Sequence, residues 1–206
     1  MIPKLSTQRI TLREIKANDI FGFYEILSDK ETMSQFGGPV MDNDIDRKDI
    51  VTRMKVEREK NISYFWSIIQ QEEKEFIGFV RLYSYNSDYF ELSFSAMGDH
   101  INDEEFLSQV DRLNGWEIDY ALQPKFRNKG IMSEAVELVI NYCNENSILP
   151  VYAKVNSLKN EASVKVLLNN SFDKLMPLIA DPSILKTKDI DTIIRDKDLG
   201  MMYVLR

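Results

Sequence analysis

The sequence predicts an α/β fold in a single domain spanning residues 1–206. Three observations lead there. Residues 116–145 read in succession as a strand, a sharp glycine turn and a helix. Other runs alternate apolar and polar residues at period two, and between them lie stretches with apolar residues three and four apart. Finally, 206 residues with 44% apolar and 29% charged content suit one domain with a sizeable core and are short for two.

Taken in order, Ile10 and Leu12 alternate with Arg9, Thr11 and Arg13, which makes 8–14 a strand. Asn18 and Asp19 have the form of an N-cap, with Ile20, Phe23, Tyr24 and Leu27 following at helical spacing. Gly37, Gly38 and Pro39 break the chain, and 42–60 reads as a second helix with Ile45, Ile50, Val51 and Met54 inward. Residues 63–69 and 75–82 are strands joined by the polar run 70–74, so they should form a hairpin. Gly78 inside the second points to a bulge or a close neighbour, and Trp66 to a core aromatic. Residues 83–115 hold an aromatic run (Tyr83, Tyr85, Tyr89, Phe90, Phe94) and an acidic patch (Asp99, Asp103, Glu104, Glu105). The aromatics either line a pocket or cap the core or an oligomer face.

The strand 116–123 sets Ile118, Tyr120 and Leu122 against Glu117, Asp119 and Ala121, and Pro124 ends it because it has no N–H to donate. After Gly130, the residues Ile131, Ala135, Leu138, Val139 and Tyr142 form one helical stripe. Residues 149–155 are a strand, Asn160 opens a short helix as its N-cap with Ser163 on the first turn, and 201–205 is a closing strand. No linker, low-complexity tract or internal repeat stands out.

Composition excludes several classes. A net charge of −7 argues against a general nucleic-acid binder or an anionic-membrane binder. One cysteine leaves no intramolecular disulfide, and one histidine, His100, leaves no usual zinc constellation, so no metal is expected. Cys143 falls beside Val139 and Tyr142 on the helix stripe and reads as core rather than nucleophile. The first residues lack the apolar segment of a signal peptide, and no apolar run approaches membrane-spanning length, so the expectation is a soluble cytoplasmic protein.

The turn at 127–130 carries the functional signal. A helix that starts at a glycine loop presents unpaired backbone N–H groups and its positive dipole end, the ingredients of a pyrophosphate site, and Arg127 and Lys129 add mobile positive charge. The residues match neither GxxxxGK(S/T) nor GxGxxG, which sets aside the triphosphate and dinucleotide loops.

These residues resemble the GCN5-related N-acetyltransferase (GNAT) family, whose acetyl-CoA motif is Q/R-x-x-G-x-G/A. Arg127, Asn128, Lys129, Gly130, Ile131 and Met132 match it at the first and fourth positions, with Met132 in place of a small residue. Ser133-Glu134-Ala135 is similar to the T-E-A of the RimJ/RimL-like branch of ribosomal-protein and aminoglycoside-type enzymes. Residues 116–122 resemble that branch's E-I-G-Y-x-L strand, with Asp119 for glycine. Residues 8–13 are similar to its T-x-R-L-x-L-R opening, and Trp66 to Leu82 to its W-x-I-I … F-I-G-F-V-x-L hairpin. Asn160 and Ser163 match N-x-x-S, while Ser171-Phe172 matches G-F apart from its first residue. The tail is similar to a closing V-L-Y-R-L, and the histidine of D-F-x-H-P is missing.

The resemblance implies a mixed, mostly antiparallel GNAT-type sheet of about seven strands flanked by four main helices. It also implies an acetyl-CoA-dependent N-acetyltransferase working by direct amine attack in a ternary complex. Carried over residue by residue, the backbone near Tyr120, Ala121 and Leu122 would hold the acetyl carbonyl and the pantetheine. Amides from Arg127 to Met132 would bind the pyrophosphate, and Asn160 the pantetheine arm. Glu117 would be the base and Ser163 the thiolate proton donor; the plain alternatives are a solvent-facing strand residue and a structural contact. The helix pair before residue 60, with Phe36, Gly37 and Gly38, would border the acceptor. That acceptor is an amine-bearing small molecule or a protein N-terminus, and a homodimer would be in keeping with relatives. Met132, Asp119 and Ser171 depart from the pattern near the cofactor and support an alternative, a non-catalytic acyl-CoA-binding or regulatory protein on the same fold. An unrelated α/β ligand-binding domain would require both motifs to be coincidental.

Overall fold

A computed structural model describes residues 2–36, 40, 47–60, 63–85, 115–178, 184 and 186–206. Among them eight strands form one sheet: β1 (Leu5–Ser6), β2 (Ile10–Glu14), β3 (Ser63–Gln70), β4 (Phe76–Tyr85), β5 (Gly115–Leu122), β6 (Val151–Val155), β7 (Asp173–Leu178) and β8 (Gly200–Leu205), in spatial order β1-β2-β3-β4-β5-β6-β8-β7. Every neighbouring pair is antiparallel except β5 and β6. The sheet is therefore mixed and mostly antiparallel, one strand larger than expected. The helices are α1 (Ile20–Ser28), α2 (Lys30–Phe36), α3 (Arg47–Glu59), α4 (Ile131–Glu145), α5 (Glu161–Asn169) and α6 (Ile190–Arg195).

The alternation predicted for β5 sorts its side chains onto two cores. Ile118 and Leu122, with Ile10, Leu12, Trp66, Ile68, Val80 and Leu82, pack under α4, whose Ala135, Val139 and Cys143 are fully buried. Ala121, with Phe65, Ile69 and Phe79, faces the opposite way onto α1 through Phe23, Ile26 and Leu27. Each such buried side chain contributes roughly 1.5–3 kcal/mol, so both faces of the sheet are held firmly.

Several local expectations are refined. A Cβ on Gly78 would overlap the Ala121 carbonyl oxygen, and the β3–β4 register shifts opposite it between Ile68 and Ile69, so close approach and bulge occur together. Asp19 does not cap α1 with its side chain; its carboxylate accepts from Arg13, the Lys16 N–H and Ser67 beneath the helix. The helix expected at 42–60 is α3, Arg47–Glu59. Its expected inner residue Ile45, the Gly37-Gly38 turn, His100 and all of the 83–115 excursion beyond Tyr85 up to Gly115 lie outside the described residues. In the tail, β7 and α6 were not read from the sequence.

Candidate functional site

The two strands at the centre of the sheet part company. β5 and β6 pair in parallel only at Trp116–Val151 and Glu117–Tyr152. Beyond that, 118–122 and 153–155 turn edges toward each other without a ladder between them, leaving strand amides in a wedge. On one side of the wedge stand α4 and α5, on the other α1, α2 and α3.

The α4 side fits a phosphate-bearing ligand. Asn128 (φ 60°) and Gly130 (φ 74°) are both left-handed, which curls the loop amides inward as a nest at the start of α4. Among the described residues no side chain caps α4, and its first intrahelical bond runs from the Glu134 N–H to the Gly130 carbonyl, so the amides of Ile131, Met132 and Ser133 face outward. Met132 turns its side chain into the core, 8% exposed, and so does not crowd those amides. A Cβ at Gly130 would meet only Arg9, at 3.8 Å, so the space above the loop is open.

The charge around this loop is arranged differently from the expectation. The Arg127 guanidinium is not mobile over the loop: its Nε donates to the Leu122 carbonyl at 3.4 Å and its tip lies against Thr32 and, at 3.5 Å, Asp29. It ties the loop to α2. Arg9, which motif reading had not assigned to the site, takes the place beside the helix start, bonding the Lys129 carbonyl at 3.0 Å and the Glu134 carboxylate. Lys129 sits over the Phe126 ring at 5.6 Å.

The next helix completes this half. Asn160 caps α5 by accepting from the Ser163 N–H at 3.1 Å, as expected of an N-cap, and the Tyr120 hydroxyl donates to the Ser163 carbonyl at 3.3 Å. Tyr120, Asn160 and Ser163 are thus brought together across the wedge.

Glu117 belongs to the opposite face. Its side chain is 5% exposed and lies 3.1 Å from Nζ of Lys154, two residues along β6 from Tyr152, Glu117's own partner in the last rung of the β5–β6 ladder. Burial pushes its pKa up, the Lys154 ammonium and the Tyr83 hydroxyl pulling the other way. Asp119, two residues on, is held by Arg81 directly across on β4, with Nε 3.0 and 3.2 Å from the two carboxylate oxygens, and burial raises its pKa against that pull. The aspartate in place of glycine therefore has a dedicated cross-strand partner. Arg81 also lies 4.5 Å over the Tyr83 ring.

Beside this charged row is a pocket of about 290 Å³ between α1, α2, α3 and strands β3 and β4. Phe23, Phe36, Phe65 and Phe79 line its apolar end, and Glu57 and Arg81 its polar end. It occupies the region where the helix pair had been expected to border an acceptor.

Arg81, Tyr83, Lys154 and Arg9 were missed as site residues. A signal existed for three of them: Arg81 and Lys154 are the single charges of β4 and β6, and Tyr83 belongs to the aromatic run already noted, with Asp119 and Glu117 in the strand between. Arg9 had none, because 125 residues separate it from Glu134.

Among the described residues no helix is long and apolar enough to cross a membrane, and no group of three or more His, Cys, Asp or Glu side chains is placed to hold a metal ion. A family model for the acetyltransferase (GNAT) domain matches residues 9–173. Among curated proteins, none matches the sequence. Solved structures similar in fold include a GNAT-family acetyltransferase from Bacillus anthracis (16% identity, TM-score 0.66, 98% of each chain). Also similar are the ribosomal-protein-S5-alanine acetyltransferase from Vibrio fischeri (14%, 0.65, 98% of this chain and 96% of that one) and the spermidine N-acetyltransferase from Vibrio cholerae, in complex with CoA and spermine (11%, 0.64, 97% and 96%).

Proposed function

Because the chain belongs to the GNAT acetyltransferase family, we propose that it is an acetyl-CoA-dependent N-acetyltransferase acting on a primary amine by direct attack within a ternary complex. The observation that carries this reading is the wedge between β5 and β6, with a phosphate-fitting loop on one side and a buried carboxylate on the other.

The amides of Arg127 to Met132 and the α4 dipole would hold the pyrophosphate of acetyl-CoA, with Arg9 and Lys129 adding charge at the rim. Asn160 and the wedge backbone at Tyr120, Ala121 and Leu122 would direct the pantetheine arm through the sheet. When bound, acetyl-CoA supplies an already activated thioester, so no covalent enzyme intermediate is required.

On the α1–α3 side, Glu117 would take a proton from the incoming ammonium, directly or through water, leaving the neutral amine that forms the N–C bond. The C–S bond then breaks, the nitrogen releases its second proton to water, and the thiolate takes a proton on the α5 side, for which Ser163 would be the donor, its own proton restored from water. Alignment of the two substrates contributes up to ~7–11 kcal/mol of barrier reduction. The acceptor is an amine-bearing small molecule or a protein N-terminus. The alternative of a CoA-binding protein without turnover loses two of its supports, since Met132 points away from the loop and Asp119 is paired.

Calorimetric titration of acetyl-CoA and free CoA tests the reading. Wild type should bind both in the micromolar range, and Gly130→Trp, which fills the space above the loop and strains a left-handed position, should abolish binding. No binding by folded wild type would remove the transferase reading altogether.

A further inference from the structure

The pocket on the α1–α3 side is more selective than the general reaction requires. Its walls are aromatic. Phe23 meets Phe65 and Phe79 edge-on with centroids 5.4 and 5.2 Å apart, Phe65 stacks on Phe79 at 5.1 Å, and Phe36 closes the group at 6.2 Å from Phe79. These rings come from α1, α2, β3 and β4, so the box is held by four separate elements.

Its polar end has a definite sign. Arg81 is taken up by its forked bond to Asp119. Glu57 accepts from the Ser63 hydroxyl at 3.0 Å and its charge also acts on Arg81, so two carboxylates, Asp119 and Glu57, stand against one guanidinium. An ammonium group is therefore favoured there over a carboxylate.

Position links the box to the chemistry. Arg81 pairs across to Asp119 and Phe79 to Ala121, so the box lies one strand away from the wedge and at its level. Glu117 occupies the next side-chain row on the same face, opposite Tyr83, roughly 7 Å along the strand. A group packed against these rings, with its amine directed along β4 past Arg81, would bring that amine toward Glu117 and the wedge.

From this arrangement we propose that the acceptor is a primary amine attached to an aromatic or branched aliphatic group, with that group packed against the apolar wall formed by Phe23, Leu27, Phe36, Met54, Phe65 and Phe79. The proposal rests on the N-acetyltransferase reading and deepens it. The volume, about 290 Å³, is at the small end for ligand pockets and has room for a single ring or branched chain together with its amine. Among the described residues Glu57 is the one carboxylate that lines the pocket, so a second ammonium, as in a polyamine, would have no further carboxylate there to replace its water. The same chemistry is offered by a free arylalkylamine and by the first residue of a peptide that begins with phenylalanine.

The test measures kcat/KM from CoA thiol release with phenethylamine, ethylamine, spermidine, and peptides beginning with Phe or Ser. Wild type should prefer phenethylamine over ethylamine, or the Phe peptide over the Ser peptide, by about 10–200-fold, and which of the two pairs shows the preference identifies the source. Phe36→Arg, at a half-buried position on the rim, should erase that ratio while acetyl-CoA binding by calorimetry is unchanged. Met54→Arg, also half-buried on the pocket wall, should do the same and serves if the first variant does not fold. Turnover that favours spermidine or ethylamine, or a ratio that survives both substitutions, overturns this inference alone. Absence of acetyl-CoA binding by wild type overturns it together with the transferase reading.

Discussion

Strand β5 shows two different solutions to burial on its two faces. Toward α4 it offers Ile118, Tyr120 and Leu122, and the Tyr120 hydroxyl among them is satisfied by the Ser163 carbonyl. Toward α1–α3 it offers Glu117 and Asp119, each side chain at most 16% exposed and each facing a cation from a neighbouring strand. The apolar face needs nothing beyond shape. The charged face is stable only while its partners stay in place, because a buried carboxylate without a partner is costly. A fold that needed only a core would have no use for the second arrangement. The proposed reaction, which must move a proton next to a strand edge, would use it.

The sharpest way to break the comparison is to neutralise the charged face at its proposed reacting group. Glu117→Gln is expected to lower kcat by roughly 10²–10⁴-fold, the usual contribution of general acid–base catalysis, while leaving acetyl-CoA affinity intact. In wild type the base works only when ionised, and burial raises its pKa, so the acidic limb of kcat/KM against pH should lie above the ordinary carboxylate range. That limb should vanish in the variant. An unchanged profile would leave Glu117 as a structural residue.

A second break removes one partner of a pair. Arg81→Met should destabilise the protein by about 2 kcal/mol by chemical denaturation. This is less than the ~3–5 kcal/mol of a fully buried pair, because Arg81 is 38% exposed and water screens it. Arg81→Met combined with Asp119→Gly should recover most of the loss, since no carboxylate is then stranded.

A gentler change tunes the pair without destroying it. Lys154 pulls the pKa of Glu117 down, so Lys154→Met should move the acidic limb to higher pH. Activity should then fall severalfold near neutrality and recover in alkaline buffer. A loss that does not recover with pH would mean that Lys154 acts on the substrate instead.

The smallest effect belongs to the apolar face. Tyr120→Phe removes one hydrogen bond, at 3.3 Å, and should cost about 0.5–1.5 kcal/mol of stability with little change in kcat. A large loss of kcat would place the hydroxyl in the chemistry and erase the distinction between the faces.

Much of the fold was legible because periodicity records burial directly. The alternation in β5 assigned Ile118 and Leu122 to one core and Ala121 to the other, and the stripe Ala135, Val139 found its place under the sheet. The turn at Gly130 and the cap at Asn160 were legible because each depends on a few adjacent residues. The strand β7 was not, since its exposed Asp173, Lys174 and Pro177 carry no clean period-two signal and it is held mainly by pairing with β8.

The candidate site divides in the same way. Local sequence was enough to nominate Gly130 and Asn160, because a left-handed turn and a helix cap are properties of neighbouring residues, whereas Glu117 and Ser163 were nominated only by the family resemblance. Tertiary structure alone decided that Glu117 faces Lys154, that Arg81 answers Asp119, that Arg127 turns away to α2 while Arg9 arrives beside the α4 start, and that four phenylalanines from separate elements close on one pocket. Those contacts join residues far apart in the chain. They exist only once register and packing are set, and no short-range pattern encodes them.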